Sequence, residues 1–253
     1  SSAARLEVLV RQLVAPESWQ TVGGKGSIVV AGDVLTVTQT DLVQFGVLKF
    51  CEQLRVARGL PLRSRHDPGR FSLTTPTAKA RGRLGRVVSL NFRDPAPLVR
   101  IVADLEQLTG ASILVNWVAL AEEGLSPQLE GRVQVQQQPF SEALVQLLQP
   151  LGLAYRVVDA DILEITSRTA AVSRLELDFY PVRELTSGEA AVKDLLTRLQ
   201  DEVGGGTWSD AGGPGVVQFD APSGCLLVLQ SQQVQREVQQ FLSTRLAGSG
   251  AGN

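Results

Sequence analysis

The sequence predicts an α+β protein made of three small modules, two of them copies of one another. Three observations predict it. A set of helix, glycine-turn, strand and helix signals recurs in the same order late in the chain. Between the copies, strand and helix signals alternate in a different order, and a Pro-, Gly- and Arg-rich stretch separates the first copy from that middle part. The boundaries that follow are 1–58 for the first copy, 59–86 for a basic linker, 87–167 for the middle module, 168–247 for the second copy and 248–253 for a flexible tail.

In the first copy, Leu6, Val10 and Val14 at four-residue spacing mark one face of a helix. Trp19, the run Gly23-Gly24-Lys25-Gly26, a strand over Leu35–Thr40 and a second helical pattern through Val43, Val47 and Phe50 follow. Shifted by 189 residues the order returns as Leu195, Leu199, Val203, Trp208 and Gly212-Gly213-Pro214-Gly215. Shifted by 191 it continues as Leu226–Ser231, then Val234, Val238 and Phe241. The extra two residues fall in Asp220–Gly224, a longer hairpin turn than Ala31-Gly32-Asp33, and a turn is where a repeat tolerates insertion. Each copy therefore reads helix, hairpin, helix. The second is preceded by an alternating strand with Leu175, Leu177 and Phe179 on one face, and the first has none before Leu6. Either that strand has been lost from the first copy or its sheet has an unpaired edge.

The stretch Arg55–Arg86 holds nine Lys and Arg against Asp67 alone, so it carries +8 and the rest of the chain −10, although the net charge is only −2. Linker composition of this kind reads as a solvated tether or as a surface for anionic lipid, lipopolysaccharide or nucleic acid, and Arg63, Arg65, Arg81 and Arg83 are its candidate contacts.

The middle module opens with a strand at Val87–Phe92. Asp94-Pro-Ala-Pro97 is a stop-and-start signal with an N-cap candidate, and Leu98, Ile101, Val102, Leu105 and Leu108 trace an amphipathic helix closed by Gly110. Ile113–Val115 and the Val133/Val135 alternation are strands. Ala143, Leu144, Leu147 and Leu148 mark a helix opened by Ser141 and ended by Pro150 and Gly152. Tyr155–Val158 and Ile162–Ile165 flank a tight turn at Asp159-Ala-Asp161, giving the order βαββαββ.

Leu90–Leu98, Leu108-Thr-Gly110, Phe140–Leu144, Leu147-Leu148, Leu151-Gly-Leu153, Tyr155 and Ile162–Thr166 together resemble the short N-terminal domain shared by secretins and TonB-dependent receptors. The flanking repeats are similar to the KH-like periplasmic ring domains of secretins. The module order departs from that of secretins, where the short domain comes first, and no pore-forming sequence is present. What the resemblance implies is a non-catalytic assembly role at a periplasmic or outer-membrane-associated location. The expected partners are other protein subunits, including further copies of the chain in a homo-oligomer or ring, with an anionic surface as the alternative. No cofactor and no small-molecule substrate are expected.

Composition limits the chemistry. Apolar residues make up 43% and charged residues 20%, enough for packed cores. The apolar runs Ile28–Ala31 and Cys225–Leu229 fall far short of the ~20 residues that span a bilayer. The chain begins at Ser1 and holds no methionine, as a processed or trimmed product would. The lone His66 cannot build a histidine cluster, and Cys51 and Cys225, at non-equivalent places in the repeats, read as two small thiols unless folding brings them together. Glu122-Glu123 and Asp159/Asp161 come with no nucleophile or base, so no catalytic or metal-binding residue is named. The remaining candidates are Trp19 and Trp208, as partner anchors or as core plugs, and Gly23, Gly24, Lys25 and Gly26, as a phosphate-approaching G-x-x-G loop or as a turn. Pro214 in place of Lys25 removes the charge from the second copy.

Overall fold

The computed structural model describes residues 2–249. Ser1 and residues 250–253 of the expected tail lie outside the described residues, while 248 and 249, expected in that tail, continue the last helix instead. The fold is α+β, and the chain divides into two compact units, one formed by Ser1–Leu73 with Leu175–Asn253 and the other by Thr74–Arg174.

The first copy begins with α1 (Ser2–Leu13), whose Leu9, Val10 and Leu13 share a buried face. After two short 3₁₀ turns come β1 (Ser27–Ala31) and β2 (Val34–Thr38), an antiparallel hairpin in unbroken register from Ser27↔Thr38 to Ala31↔Val34. Helix α2 (Asp41–Ala57) then buries Val47, Phe50 and Leu54.

The stretch 59–86 is ordered rather than a free tether. Asp67 accepts from the backbone N–H of Gly69 (2.8 Å) to open a 3₁₀ turn over Pro68–Phe71, where Phe71 is fully buried. Thr75 caps the short α3 (Pro76–Lys79), and α4 (Arg81–Leu84) follows. Ala80 and Leu84 are buried in the core of the second unit. Isolated apolar residues can each fill a core position without setting up a period, so the sequence pattern did not reveal this packing.

In the second unit, β3 (Val87–Pro97) leads into α5 (Leu98–Thr109), β4 (Ser112–Val115), α6 (Trp117–Glu122), β5 (Glu130–Pro139), α7 (Phe140–Leu148), β6 (Leu153–Asp159), β7 (Ile162–Ser167) and α8 (Arg168–Ser173). β3 pairs antiparallel with β5, and a second sheet runs β4-β7-β6 with β4 parallel to β7. Leu98, Ile101 and Leu105 of α5 and Phe140, Leu144 and Leu147 of α7 fill the core. Two expected helix starts are corrected. Asp94 does not cap α5, because β3 runs on through a bulge after Phe92 until Pro97 pairs with Glu130. Ser141 lies inside α7, whose N-cap position is Pro139. Helix α6 has no signal in the hydrophobic period. Asn116 starts it by accepting from the backbone N–H of Ala119 (3.1 Å), and Glu122 is its last residue.

The second copy comprises β8 (Leu175–Pro181), α9 (Glu189–Glu202), β9 (Val216–Asp220), β10 (Cys225–Ser231) and α10 (Gln232–Ser249), with an antiparallel sheet in the order β8-β10-β9. Every residue of β10 is buried. Leu226 and Val228 pack with Leu199, Trp208 and Val238 of their own copy. Leu227 and Leu229, together with Phe179 and Cys225, enter a core otherwise made by Leu9, Leu13, Trp19 and Phe50 of the first copy. A strand covered on both faces reads as a continuous apolar run, which is what Cys225–Leu229 is.

Candidate interaction edge and cavity

The two copies reproduce one another at the level of single hydrogen bonds. Trp19 is 1% exposed and donates its indole N–H to the carbonyl of Val14 (2.9 Å); Trp208 is 2% exposed and donates to Val203 (2.7 Å). Both are core plugs that offer no surface to a partner. The backbone N–H of Gly24 donates to Trp19 (2.9 Å) and that of Gly26 to Ser18 (2.9 Å), and Gly213 and Gly215 bond Trp208 (2.8 Å) and Thr207 (2.9 Å) in the same way. A Cβ at Gly24 would lie 2.2 Å from the Ser18 carbonyl carbon, and one at Gly213 would lie 2.2 Å from that of Thr207. These glycines are therefore required by close backbone approach. The Gly23, Gly24 and Gly26 amides point at internal carbonyls, so the loop keeps little of the N–H cradle that a phosphate would need, and only the Lys25 side chain is exposed.

Gln39 and Gln230, at the ends of the equivalent strands, lock the loop from the other side. Each side-chain amide donates to the backbone carbonyl and the hydroxyl of the residue before the tryptophan, Ser18 (3.1 and 2.7 Å) or Thr207 (3.3 and 2.6 Å). The Gln shared by the Leu-x-Val-x-Gln strands was the sequence signal for this role.

The copies differ at one sheet edge. β10 carries β8 on one side and β9 on the other, with seven residue pairs to β8 from Cys225↔Pro181 to Ser231↔Leu175. In the first copy β1 takes the place of β9, but among the described residues β2 pairs with nothing else. The edge from Val34 to Thr38 has no charge, proline or bulge, the devices that usually blunt such edges. Val29 and Val34 on the hairpin's outer face are 60% and 63% exposed.

The arginines of the basic stretch are divided between the two units. In the second, Arg83 pairs with Asp161 and donates to the Thr109 carbonyl (2.7 Å), Arg86 donates to the same carbonyl (3.0 Å), and Arg81 is exposed. In the first, Arg63 and Arg65 are both exposed, and Arg63 lines a cavity of about 830 Å³. Residues from α1, α2, the segment after α2 and the β9–β10 turn line this cavity. In its wall Arg58 grips the buried Asp220 with two hydrogen bonds (3.0 and 2.6 Å). Burial pushes the Asp220 carboxyl up, but the Arg58 and Ser223 hydrogen bonds and the Arg58 charge outweigh it and hold the group below the ordinary carboxylate range. Buried Glu52 accepts from the backbone N–H groups of Arg63 and Ser64 (2.9–3.1 Å), fastening the segment after α2 to the helix. Cys51 also lines the cavity, and burial first, then the Glu52 charge, pushes its thiol up to about 11. The lining residues come from positions 2–6, 51–63 and 219–222, a separation that hid the cavity from sequence reading.

No family model and no curated protein matches the chain. Among solved structures it is similar to XcpQN012, at 15% identity over 62% of this chain and 64% of that one, with a TM-score of 0.22. It is similar also to the N-terminal domain of the secretin XcpQ from Pseudomonas aeruginosa, at 15% identity, the same coverage and a TM-score of 0.22. A dimeric mutant of that domain, carrying a cysteine in place of a serine, matches at 17% identity over 66% of this chain and 69% of that one, with a TM-score of 0.23. The chain thus spans somewhat under two thirds of the length of the first of these.

Proposed function

We propose that the chain is a non-catalytic interaction module of an extracytoplasmic, outer-membrane-associated assembly, joined to its partner subunit by a strand that the partner lays along the free edge of β2. In this reading 1–58 and 168–247 are ring-type repeats and 87–167 is the short domain between them. The observation that carries it is the asymmetry between the copies, in that β10 is bordered by β8 where its counterpart β2 has no second strand beside it among the described residues. Strand addition takes its affinity from main-chain hydrogen bonds and its specificity from alternate side chains. The sequence Leu-Glu-Leu-Asp-Phe-Tyr-Pro of β8 shows the kind of strand that such an edge accepts.

A synthetic peptide of that sequence, added to the intact chain, serves as the probe. It should bind, and N-methylation at alternate residues should abolish binding in one phase and leave it intact in the other, because only alternate N–H groups face the edge. Absence of binding, or equal binding of the two methylated peptides, would falsify strand addition at β2.

A further inference from the structure

The cavity of the first unit combines two features that suit one class of ligand. Leu6, Leu54 and Phe219 give its lining an apolar part, Cys51 also lines it, and its volume of about 830 Å³ lies within the ~300–1,000 Å³ of small-molecule sites. The lining is also cationic. Four arginines line the cavity against two carboxylates, and both carboxylates are already committed, Asp220 to Arg58 and Glu52 to backbone N–H groups. The other three arginines have no acidic partner among the described residues. Arg5 donates one N–H to the carbonyl of Phe219 (3.2 Å), Arg55 donates its Nε–H to that of Pro61 (2.7 Å), and the Arg63 guanidinium has no hydrogen-bond partner among the described residues. Guanidinium groups without a counter-charge beside apolar lining residues fit a carboxylate head followed by a hydrocarbon tail.

We propose that this cavity binds a long-chain carboxylate, with the tail against Leu6, Leu54 and Phe219 and the head group on Arg5, Arg55 and Arg63. This reading is independent of strand addition at β2, which involves none of these residues.

The test uses the intact chain, with dodecanoate as the probe and the rate of Cys51 modification by a disulfide reagent as one readout. Cys225 is buried, and a Cys225→Ala variant leaves Cys51 as the only thiol. Saturating dodecanoate should slow Cys51 modification at least tenfold, while butanoate, which lacks the tail, and dodecanol, which lacks the charge, should protect little at equal concentration. Calorimetric titration of an Arg55→Gln, Arg63→Gln double variant should show a dissociation constant raised about tenfold or more, the loss expected when charge-assisted hydrogen bonds are removed. An unchanged Cys51 rate without ligand would show that the cavity itself survives in that variant. Unaltered Cys51 reactivity with dodecanoate, equal protection by dodecanol, or unchanged affinity in a double variant whose ligand-free Cys51 rate is that of the parent would each overturn the proposal. Protection by an acidic peptide but not by dodecanoate would overturn the ligand class.

Discussion

Asp178 on β8 is half-buried, and burial, then the neighbouring Glu176 charge, pushes its carboxyl from 3.8 up to about 7. The Lys49 ammonium and the Tyr180 hydroxyl pull the other way without compensating. Burial, with the Asp178 charge next, pushes the Tyr180 phenol up, so it stays neutral and donates to the side-chain oxygen of Gln235 (2.9 Å). An acid whose folded pKa is raised costs stability once it ionises. The contribution is intact below pH ~4, declines as pH rises from there through about 7, and is level above. Asp220 has the opposite sign, because its depressed pKa stabilises above the ordinary 3.8 and that stability is lost as pH falls below it. Urea unfolding at pH 5 and pH 8, where Asp220 stays ionised, should therefore show stability declining with pH, and Asp178→Asn should remove most of the decline, gaining up to about 4 kcal/mol at pH 8. A slope unchanged in the variant would assign it elsewhere. The Trp–Gly loops allow a second test at this scale. Gly24→Ala and Gly213→Ala each force a Cβ to within 2.2 Å of backbone and should cost about 2–4 kcal/mol. Gly23→Ala, which meets only open space but keeps φ at +93°, should cost nearer ~1 kcal/mol.

At the scale of elements, the sequence was legible wherever an element's signals lay within its own span. The repeat showed in Trp19/Trp208 and the Leu-x-Val-x-Gln strands, and the two-residue change of offset fell in the β9–β10 turn, since Ser27↔Thr38 and Val216↔Leu229 are equivalent pairs under offsets of 189 and 191. Elements defined by partners elsewhere were not legible. The bulged end of β3 exists because Ala96 and Pro97 meet Gly131 and Glu130, while α6 went unread for a different reason, a single local cap from Asn116 to Ala119 with no apolar period behind it. The same divide runs through the site residues. The free edge of β2 follows from the order of elements, whereas the cavity needs residues more than 150 positions apart, as in the Arg58–Asp220 pair. The Arg-rich stretch misled for a related reason. Composition counts its charges but cannot show that Arg58 and Arg83 already face acids, so fewer cations are free than the +8 suggests.

Across the whole molecule, the two repeats do not form two independent modules. The core under α1 and α2 is completed by Phe179, Cys225, Leu227 and Leu229 from the second copy, so residues 1–73 alone would leave that apolar face open to water. The 74–174 unit has a self-contained core, with Ala80, Leu84, Leu98, Ile101, Phe140, Leu147 and Ile165 all within its bounds, and at about a hundred residues it is large enough to fold alone. Expressed separately, 74–174 should give a cooperative thermal transition and dispersed amide NMR signals. A 1–73 fragment should aggregate or stay unfolded until mixed with 175–253, when the shared core can re-form and the Trp19 indole N–H should become protected from hydrogen exchange. Cooperative folding of 1–73 by itself would show that the second copy's sheet is dispensable to the first. In that case the apolar run of β10 would need a different explanation from the one its two covered faces provide.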